Sequence, residues 1–343
     1  FVRRILAYKI LVISVLDKQE EVLLELINHE LLAKNEVYDE LFFSSEQGAE
    51  LLERLLSLTD IEDYSTVMLQ NEGFWKVLRL FSSVKQHTLT VYQYLDTSVL
   101  KKSNTITKQN FMWLLGLLDE ISSLGAIGGQ WEQEYDLLIK TGHKINKENP
   151  YQEIVELSLK SINSTAHLMD VMRQESLAKG EIFALVQALA HQCLNPCYQL
   201  RSYALSSLET TIIKRIPASS EAVPVDELIE QGLFPLINNI SSEAQSSSSL
   251  PTLEILSVLS KVYLHYLKLG ETDNDTYLTV LNVFNRFVEN PDVEKELQNL
   301  ITEKRAIEKT PELENKQEEP LNEVDKESNN NPEKKAEQDS DQA

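Results

Sequence analysis

Two cysteines and a histidine lie close together in the sequence and are the first candidates for chemistry. Cys193 and Cys197 are three residues apart, Pro196 stands between them, and His191 precedes them by two positions. A structural zinc site needs four ligands at workable spacing, and the chain has only 2 cysteines. A nucleophilic cysteine needs a base and an oxyanion hole, and no local motif indicates either. We therefore predict two small residues buried at a helix turn; a thiol- or metal-dependent enzyme is the alternative.

Three glycines near the middle of the chain resemble a phosphate-binding loop in composition only. Gly125, Gly128 and Gly129 follow a helical pattern, whereas a dinucleotide-binding loop follows a strand and opens a helix at a different spacing. We predict that the glycines end that helix and turn the chain, so that Trp131 and Tyr135 pack back against the preceding helix. The sequence thus predicts no catalytic residue, no metal site and no cofactor.

The residues around the two cysteines define the elements that position them. Apolar residues recur at helical spacing on both sides of Asn195-Pro196, within residues 180–216. Asn is a good N-cap, and Pro fits the first helical position because its missing N–H costs nothing there. The break is therefore predicted to be a tight turn between two packed helices. Neither helix can bury its apolar face alone, so the pair needs neighbours, as in stacked helical repeats.

The same helical pattern extends over most of the chain. Gly and Pro are scarce, at 10 each in 343 residues, which argues against sandwiches and barrels with their frequent turns. Asn149-Pro150 and Asn290-Pro291 repeat the helix start found at Asn195, and Thr59 with Glu62 predicts a capping box. The predicted helices cover 2–16, 19–33, 36–43, 48–58, 61–70, 74–87, 89–101, 108–123, 131–141, 151–173, 181–193, 197–214, 225–240, 251–268, 275–289 and 292–305.

These patterns predict an all-α fold, a HEAT- or armadillo-like solenoid of helical hairpins with divergent repeats of about 40–47 residues. The polar loop at 141–150 divides it into a helical-repeat segment over 1–143 and a second one over 150–309. Residues 310–343 lack apolar periodicity, and we predict a disordered acidic tail. The chain begins with Phe inside a helical pattern, so we expect a piece of a longer polypeptide.

The charge of the chain bears on its partners. Its formal net charge is −22, which repels phosphate backbones and makes nucleic acid an unsuitable partner. Membrane contact requires a local basic cluster, and the candidate docking patch is Lys214 with Arg215. With 2 cysteines and no disulfide framework, the chain fits a reducing compartment. We predict a cytoplasmic location.

Four pieces in order resemble the C-terminal region of the large Golgi exchange factors for ARF-type small GTPases, the Gea/GBF class. They are the hairpin at 188–213, the element at 228–240 with Phe-Pro-Leu in it, the helix at 253–269 and the segment at 277–290. Residues 74–95 and 110–138 resemble the preceding helical segment of that family. The order and spacing of the pieces carry the resemblance, since each alone is only an apolar helix.

The resemblance implies a non-catalytic regulatory and scaffolding region in Golgi vesicle-mediated transport. In that family a separate upstream domain performs nucleotide exchange with a Phe-Arg-Leu-Pro-Gly-Glu loop, and no such string occurs in these residues. The implied partners are an ARF-type GTPase through the missing upstream domain, Golgi membranes or adaptor proteins, and a second copy as a homodimer. The implied location is peripheral on Golgi membranes. The alternative is a generic cytosolic solenoid adaptor that binds a protein or peptide and is unrelated to ARF.

Overall fold

In a computed structural model the described residues are 41–102, 105–142, 148–172, 178–216, 223–243 and 251–314. Every regular element in these ranges is a helix, which confirms the predicted all-α fold. The helices are α1 (Glu46–Leu58), α2 (Glu62–Leu69), α3 (Glu72–Ser82), α4 (Lys85–Tyr94), α5 (Lys108–Ser123), α6 (Ala126–Lys140), α7 (Gln152–Val171), α8 (Lys179–Gln192), α9 (Tyr198–Thr210), α10 (Val225–Glu227), α11 (Phe234–Glu243), α12 (Thr252–Lys268), α13 (Asn274–Asn285) and α14 (Pro291–Glu314).

Three of these helices continue as π-helical turns. Leu95–Leu100 follows α4, Thr211–Arg215 follows α9, and Leu228–Leu233 follows α10. A π-turn widens the helix by one residue and redirects the side chains that follow it. The first two π-turns both pack against α7, which also packs along α5 and α9.

The three predicted Asn-Pro helix starts share one geometry, but only Pro291 is the first residue of its helix; α7 begins at Gln152 and α9 at Tyr198, each two positions later than the proline predicted to start it. Oδ1 of Asn149 accepts the N–H of the residue two positions further at 2.8 Å, and Asn195 and Asn290 do the same at 3.0 Å. The N–H belongs to the N-cap residue at Tyr151 and Cys197 and to the first helical turn at Asp292, so each side chain fixes the turn that leads into its helix. The repeated Asn-Pro sequence therefore makes the same hydrogen bond at all three sites.

The capping box predicted from Thr59 and Glu62 is wrong. Thr59 lies at the end of α1, and its Oγ1 donates to the Leu56 carbonyl oxygen at 2.6 Å. The next helix, α2, begins after Ile61, whose side chain makes no capping hydrogen bond. A threonine hydroxyl readily bonds backward to a carbonyl three or four positions earlier, and Thr59 does so at the end of α1.

One hydrophobic core extends through the stack from Phe42 to Leu300. Helix α5 lies at its centre and packs against α3, α7 and α8. Ser158 Oγ of α7 donates to the Ile121 carbonyl at 2.9 Å, and Ser161 Oγ donates to the Leu118 carbonyl at 2.7 Å. Small hydroxyls let α7 approach α5 closely, so the two predicted segments share a core across the 143/150 boundary. The division into segments stays a prediction.

The C-terminal end of the described stack is formed by α12, α13 and α14. Helix α12 is buried on most of its circumference, as its apolar pattern predicts. Helix α14 packs on both neighbours, with Val293 and Leu300 buried. Because α14 reaches Glu314, the predicted tail is wrong for 310–314; residues 315–343 lie outside the described residues, as do the helices predicted at 2–16 and 19–33.

One helical stretch in the described ranges, Lys108–Lys140, is long and apolar enough to cross a membrane by length and composition. It consists of α5 and α6, which meet at Leu124 and Gly125, and half of its most apolar window is buried inside the stack. Burial of α5 between three other helices accounts for this hydropathy. The stretch is weak evidence for a span.

Candidate functional site

The two cysteines lie at the turn between α8 and α9, and both are fully buried. Cys193 ends α8, where its Sγ donates to the Leu189 carbonyl oxygen at 3.3 Å. Cys197 precedes α9, and its Sγ lies 3.7 Å from Oε1 of Glu132. Burial raises the pKa of both thiols. A thiol kept protonated and out of solvent is a poor nucleophile, so the geometry favours the packing role.

His191 joins this turn to α5 rather than to a metal. Its Nδ1 donates to the Asp119 carboxylate at 3.0 Å, and this hydrogen bond raises the pKa of His191. The neighbouring Gln192 amide donates to Asp119 Oδ1 at 2.7 Å and to Ser123 Oγ at 2.8 Å. Among the described residues no group of three or more His, Cys, Asp or Glu side chains could hold a metal ion. The cluster is a polar link between two helices.

The glycines lie where α6 meets the same turn. As predicted, Gly125 follows α5 and turns the chain, but Gly128 and Gly129 lie inside α6, which begins five residues earlier than the predicted helix at 131. A Cβ added at Gly129 would lie 2.3 Å from the Pro196 carbonyl carbon and 2.4 Å from the Cys197 nitrogen. Real Cβ atoms do not approach backbone this closely, so Gly129 permits a direct contact between helix and turn.

Trp131 and Tyr135 differ from their predicted arrangement. Their rings stack on each other with centroids 5.0 Å apart and an interplanar angle of 26°. Both side chains are half-buried on α6 rather than inside the core. The two aromatic residues therefore pack mainly along their own helix.

Glu132 is a positioning residue that the sequence analysis missed. Its Oε2 accepts the Tyr198 backbone N–H at 3.0 Å, at the first turn of α9. A carboxylate near a helix N-terminus satisfies a free N–H and interacts favourably with the helix dipole. From the other side, Arg201 Nη1 donates to the Asn195 carbonyl at 3.0 Å. No local pattern could have indicated Glu132, because its partner lies 66 positions away.

The two residues of the predicted docking patch have different surroundings. Arg215 Nε lies 3.1 Å from Asp170 Oδ2, and its Nη1 donates to the Ala166 carbonyl at 2.8 Å. Its side chain is only 16% exposed, whereas Lys214 faces solvent. Arg215 thus holds the π-turn after α9 onto α7. The docking role of the pair stays a prediction, with Lys214 as its accessible member.

Helix α6 divides into two halves with opposite surroundings. The docked half, residues 126–132, contains the close glycine contact and Glu132. The exposed half, residues 133–140, carries Leu137 at 63% exposure and Ile139 at 50%, with Leu138 between them. Tyr198 at the start of α9 is also 62% exposed. Large apolar side chains gathered on one exposed segment are a feature of interaction surfaces.

A polar groove of about 550 Å³ lies between α2 and the start of α5. Its two cations are already paired: Lys101 Nζ lies 2.6 Å from Asp96, and Lys102 Nζ lies 3.8 Å from Asp60. Both ammonium groups are largely exposed to solvent. Ion pairs that are exposed to solvent do not resemble a catalytic or ligand-binding site.

The described residues form an all-α helical-repeat region. Its polar clusters, around Asp119, Glu132 and Arg215, connect one helix to another. Residues 182–307 match the family model described as the GBF1-like, tetratrico peptide repeat region. Tetratricopeptide repeats, like the predicted HEAT or armadillo hairpins, are stacked helix pairs, so the repeat architecture is common to both descriptions.

Two curated proteins extend the similarity over nearly the whole chain. ARF guanine-nucleotide exchange factor 2 of Saccharomyces cerevisiae is 52% identical over 309 residues, which is 90% of this chain and 21% of that protein. ARF guanine-nucleotide exchange factor 1 of the same yeast is 40% identical over 311 residues, 90% of this chain and 22% of that protein. The predicted resemblance to the large ARF exchange factors is confirmed. The chain spans about a fifth of the length of these relatives.

Proposed function

We propose that this chain is a non-catalytic regulatory and scaffolding region of an ARF guanine-nucleotide exchange factor in Golgi vesicle-mediated transport. The observation that carries the proposal is the 52% identity over 90% of the chain to a protein named as such an exchange factor. The buried thiols and the helix-linking role of Asp119 and His191 are consistent with it, because they leave this part of the chain without an activated nucleophile. The same similarity weighs against an adaptor unrelated to ARF.

Nucleotide exchange itself is assigned to a separate domain. The Phe-Arg-Leu-Pro-Gly-Glu loop of the family does not occur in residues 1–343, so contact with an ARF-type GTPase is proposed through that other domain. The test is release of a fluorescent GDP analogue from an ARF protein after addition of the purified chain. We expect the spontaneous rate, with an isolated exchange domain as positive control. A rate that rises with the concentration of the chain would overturn the proposal.

Recruitment to Golgi membranes or to adaptor proteins there is the proposed contribution of this region. A fluorescent fusion of the chain should be cytoplasmic with partial enrichment on the Golgi. If Lys214 forms the docking patch, Lys214→Glu abolishes the enrichment, whereas Lys76→Glu, at another exposed lysine, leaves it intact. Enrichment that survives Lys214→Glu removes the patch from the proposal, and a wild-type chain that stays uniformly dispersed removes autonomous recruitment.

A homodimer is the remaining partner proposed for this region. Light scattering on the purified chain measures its mass directly. A mass near 78 kDa, twice the 39.2 kDa of one chain, supports the dimer. A mass of one chain at the highest concentration tested excludes it for this region alone.

A further inference from the structure

A small apolar cleft lies between the last turn of α8 and the beginning of α11. Ala190 and Leu194 line it from one side, and Gly232, Pro235 and Leu236 line it from the other; its volume is about 110 Å³. An apolar cavity of about 150 Å³ holds a benzene molecule, so this cleft has room for one aliphatic side chain. An apolar group placed there would leave water and contact both walls, which is favourable.

The π-turn over Leu228–Leu233 builds one wall of this cleft. It packs along α8, and Gly232 lies so close to that helix that an added Cβ would be 2.7 Å from Val186 Cγ1. Gln187 Nε2 of α8 donates to the Gln231 carbonyl oxygen at 2.8 Å and ties the two elements together. Single π-turns within helices occur frequently at functional sites. The cleft is therefore held in shape by contacts within the stack.

His191 supplies a polar group at the rim of the cleft. Its Nδ1 donates to the Asp119 carboxylate at 3.0 Å, whereas its Nε2 makes no hydrogen bond within the described part of the chain. Asp119 in turn accepts the Gln192 amide at 2.7 Å, and that amide also donates to Ser123. A second layer of hydrogen bonds fixes the orientation of the ring. One ring nitrogen is thus used by the protein, and the other is left for a ligand.

The charges at the cleft restrict the kind of ligand. The hydrogen bond to Asp119 raises the pKa of His191, and the last turn of α8 places the ring at the negative end of a helix dipole. Both conditions favour the protonated ring, whose Nε2–H is a hydrogen-bond donor. None of the described residues that line the cleft is acidic, although the chain has a net charge of −22. The cleft therefore complements an apolar group with a negative charge beside it.

From these observations we propose that the cleft between α8 and α11 binds a protein segment that presents one aliphatic side chain with a carboxylate next to it. The aliphatic side chain lies between Leu194 and Leu236, and the carboxylate accepts a hydrogen bond from His191 Nε2. Asp119 is a positioning residue, because it orients the ring and does not touch the ligand. This inference goes beyond the proposed function, and its test uses neither ARF nor Golgi membranes, so either proposal can fail alone.

Methyl NMR on the full 343-residue chain tests the contact with a defined probe, the tetrapeptide Gly-Leu-Glu-Gly blocked at both ends. We expect the methyl resonances of Leu194 and Leu236 to shift and to saturate with a Kd on the order of 1 mM, because the probe offers one side chain and one charge-assisted hydrogen bond. The matched peptides Gly-Ala-Glu-Gly and Gly-Leu-Gln-Gly each lack one of these groups. Each should bind roughly fivefold more weakly or worse.

A protein variant tests the role of the histidine separately. His191→Phe keeps an aromatic ring but removes Nε2, and it should weaken binding of Gly-Leu-Glu-Gly roughly fivefold and abolish the preference for Glu over Gln in the peptide. The side chain of His191 is 61% exposed, so the stack tolerates the replacement. The matched control is His265→Phe on α12, which makes the same change outside the lining of the cleft. This control should bind the peptide as the wild type does.

Several results would overturn the proposal. One is that the methyl groups of Leu194 and Leu236 do not shift at about 10 mM Gly-Leu-Glu-Gly. Another is that the wild type binds the Ala or the Gln peptide as tightly as Gly-Leu-Glu-Gly, or that His191→Phe binds Gly-Leu-Glu-Gly as tightly as the wild type does. Shifts confined to the exposed half of α6 would assign the peptide to that surface, and they too would overturn binding in the cleft.

Discussion

The two halves of α6 share a helix but have opposite roles in the molecule. The docked half meets the turn between α8 and α9 so closely that Gly129 has no room for a side chain, and Glu132 fixes the first turn of α9. The exposed half continues the same helix with Leu137, Leu138 and Ile139 in solvent. Helical pattern alone does not distinguish them. The difference shows that long-range contacts, not local propensity, decide which part of a repeat is structural and which is available.

The largest effect is expected where the docked half touches the turn. Gly129→Ala places a Cβ against the backbone of Pro196 and Cys197, which cannot yield as a flexible side chain could. We expect the free energy of unfolding to fall by about 3 kcal/mol, measured by urea denaturation.

The control for this substitution is Gly116→Ala. Gly116 lies inside α5, and an added Cβ there meets nothing within 4 Å. Alanine is the better helix former, so we expect stabilisation by about 0.5–1 kcal/mol. Equal effects of the two substitutions would contradict the close contact between helix and turn.

A smaller loss is expected where α5 holds the same turn. Asp119→Ala removes the acceptor of the buried Gln192 amide and the partner of His191. We expect the free energy of unfolding to fall by about 1–2 kcal/mol. Asp136→Ala on the exposed half of α6 is the matched control and should change it by less than about 0.5 kcal/mol. An equally large loss in the control would erase the distinction between the two halves.

The link between His191 and Asp119 also predicts a pH dependence. The pKa of His191 is raised in the folded chain because its ring donates to Asp119. The added stability is therefore fully present below the ordinary value of 6.5 and is lost as the pH rises through the folded pKa. Because His191 is largely exposed, solvent screening limits the effect to about 0.5 kcal/mol.

The measurement compares the wild type with His191→Gln at pH 5.5 and pH 9, so that all other titrating groups cancel. The wild type should gain more stability from the lower pH than the variant does. A difference of the opposite sign would mean that Asp119 does not stabilise the protonated ring.

The smallest effect on stability is expected on the exposed half. Leu137→Glu/Leu138→Glu replaces two side chains that contribute little to the core, so thermal unfolding should shift by no more than that expected from about 0.5 kcal/mol. A loss comparable with that of Gly129→Ala would show that this half is as structural as the docked half.

The sequence alone predicts a large part of this architecture. The Asn-Pro turns before three helices, the burial of both cysteines and the core position of α12 follow from local residue types and helical periodicity, and the structure contains all of them. These features depend on residues a few positions apart. Local physical chemistry therefore suffices for them.

Most of the features that the sequence did not predict depend on distant partners. Glu132 accepts a hydrogen bond from the first turn of α9, and Arg215 forms an ion pair with Asp170 on α7. Thr59 is an exception at short range: its hydroxyl bonds backward to α1 instead of capping α2, and the local sequence is compatible with both. A helical pattern specifies which face is apolar but not which neighbour covers it.

In the proposed function, this region supports an exchange factor without performing exchange. The most direct measurement uses the yeast ARF guanine-nucleotide exchange factor 2, purified with and without the segment that this chain matches, and records GDP release from a soluble ARF protein. We expect equal rates in solution within about twofold, and loss of Golgi localisation in cells when the segment is removed. A folded deletion variant that releases nucleotide far more slowly in solution would contradict a purely supporting role.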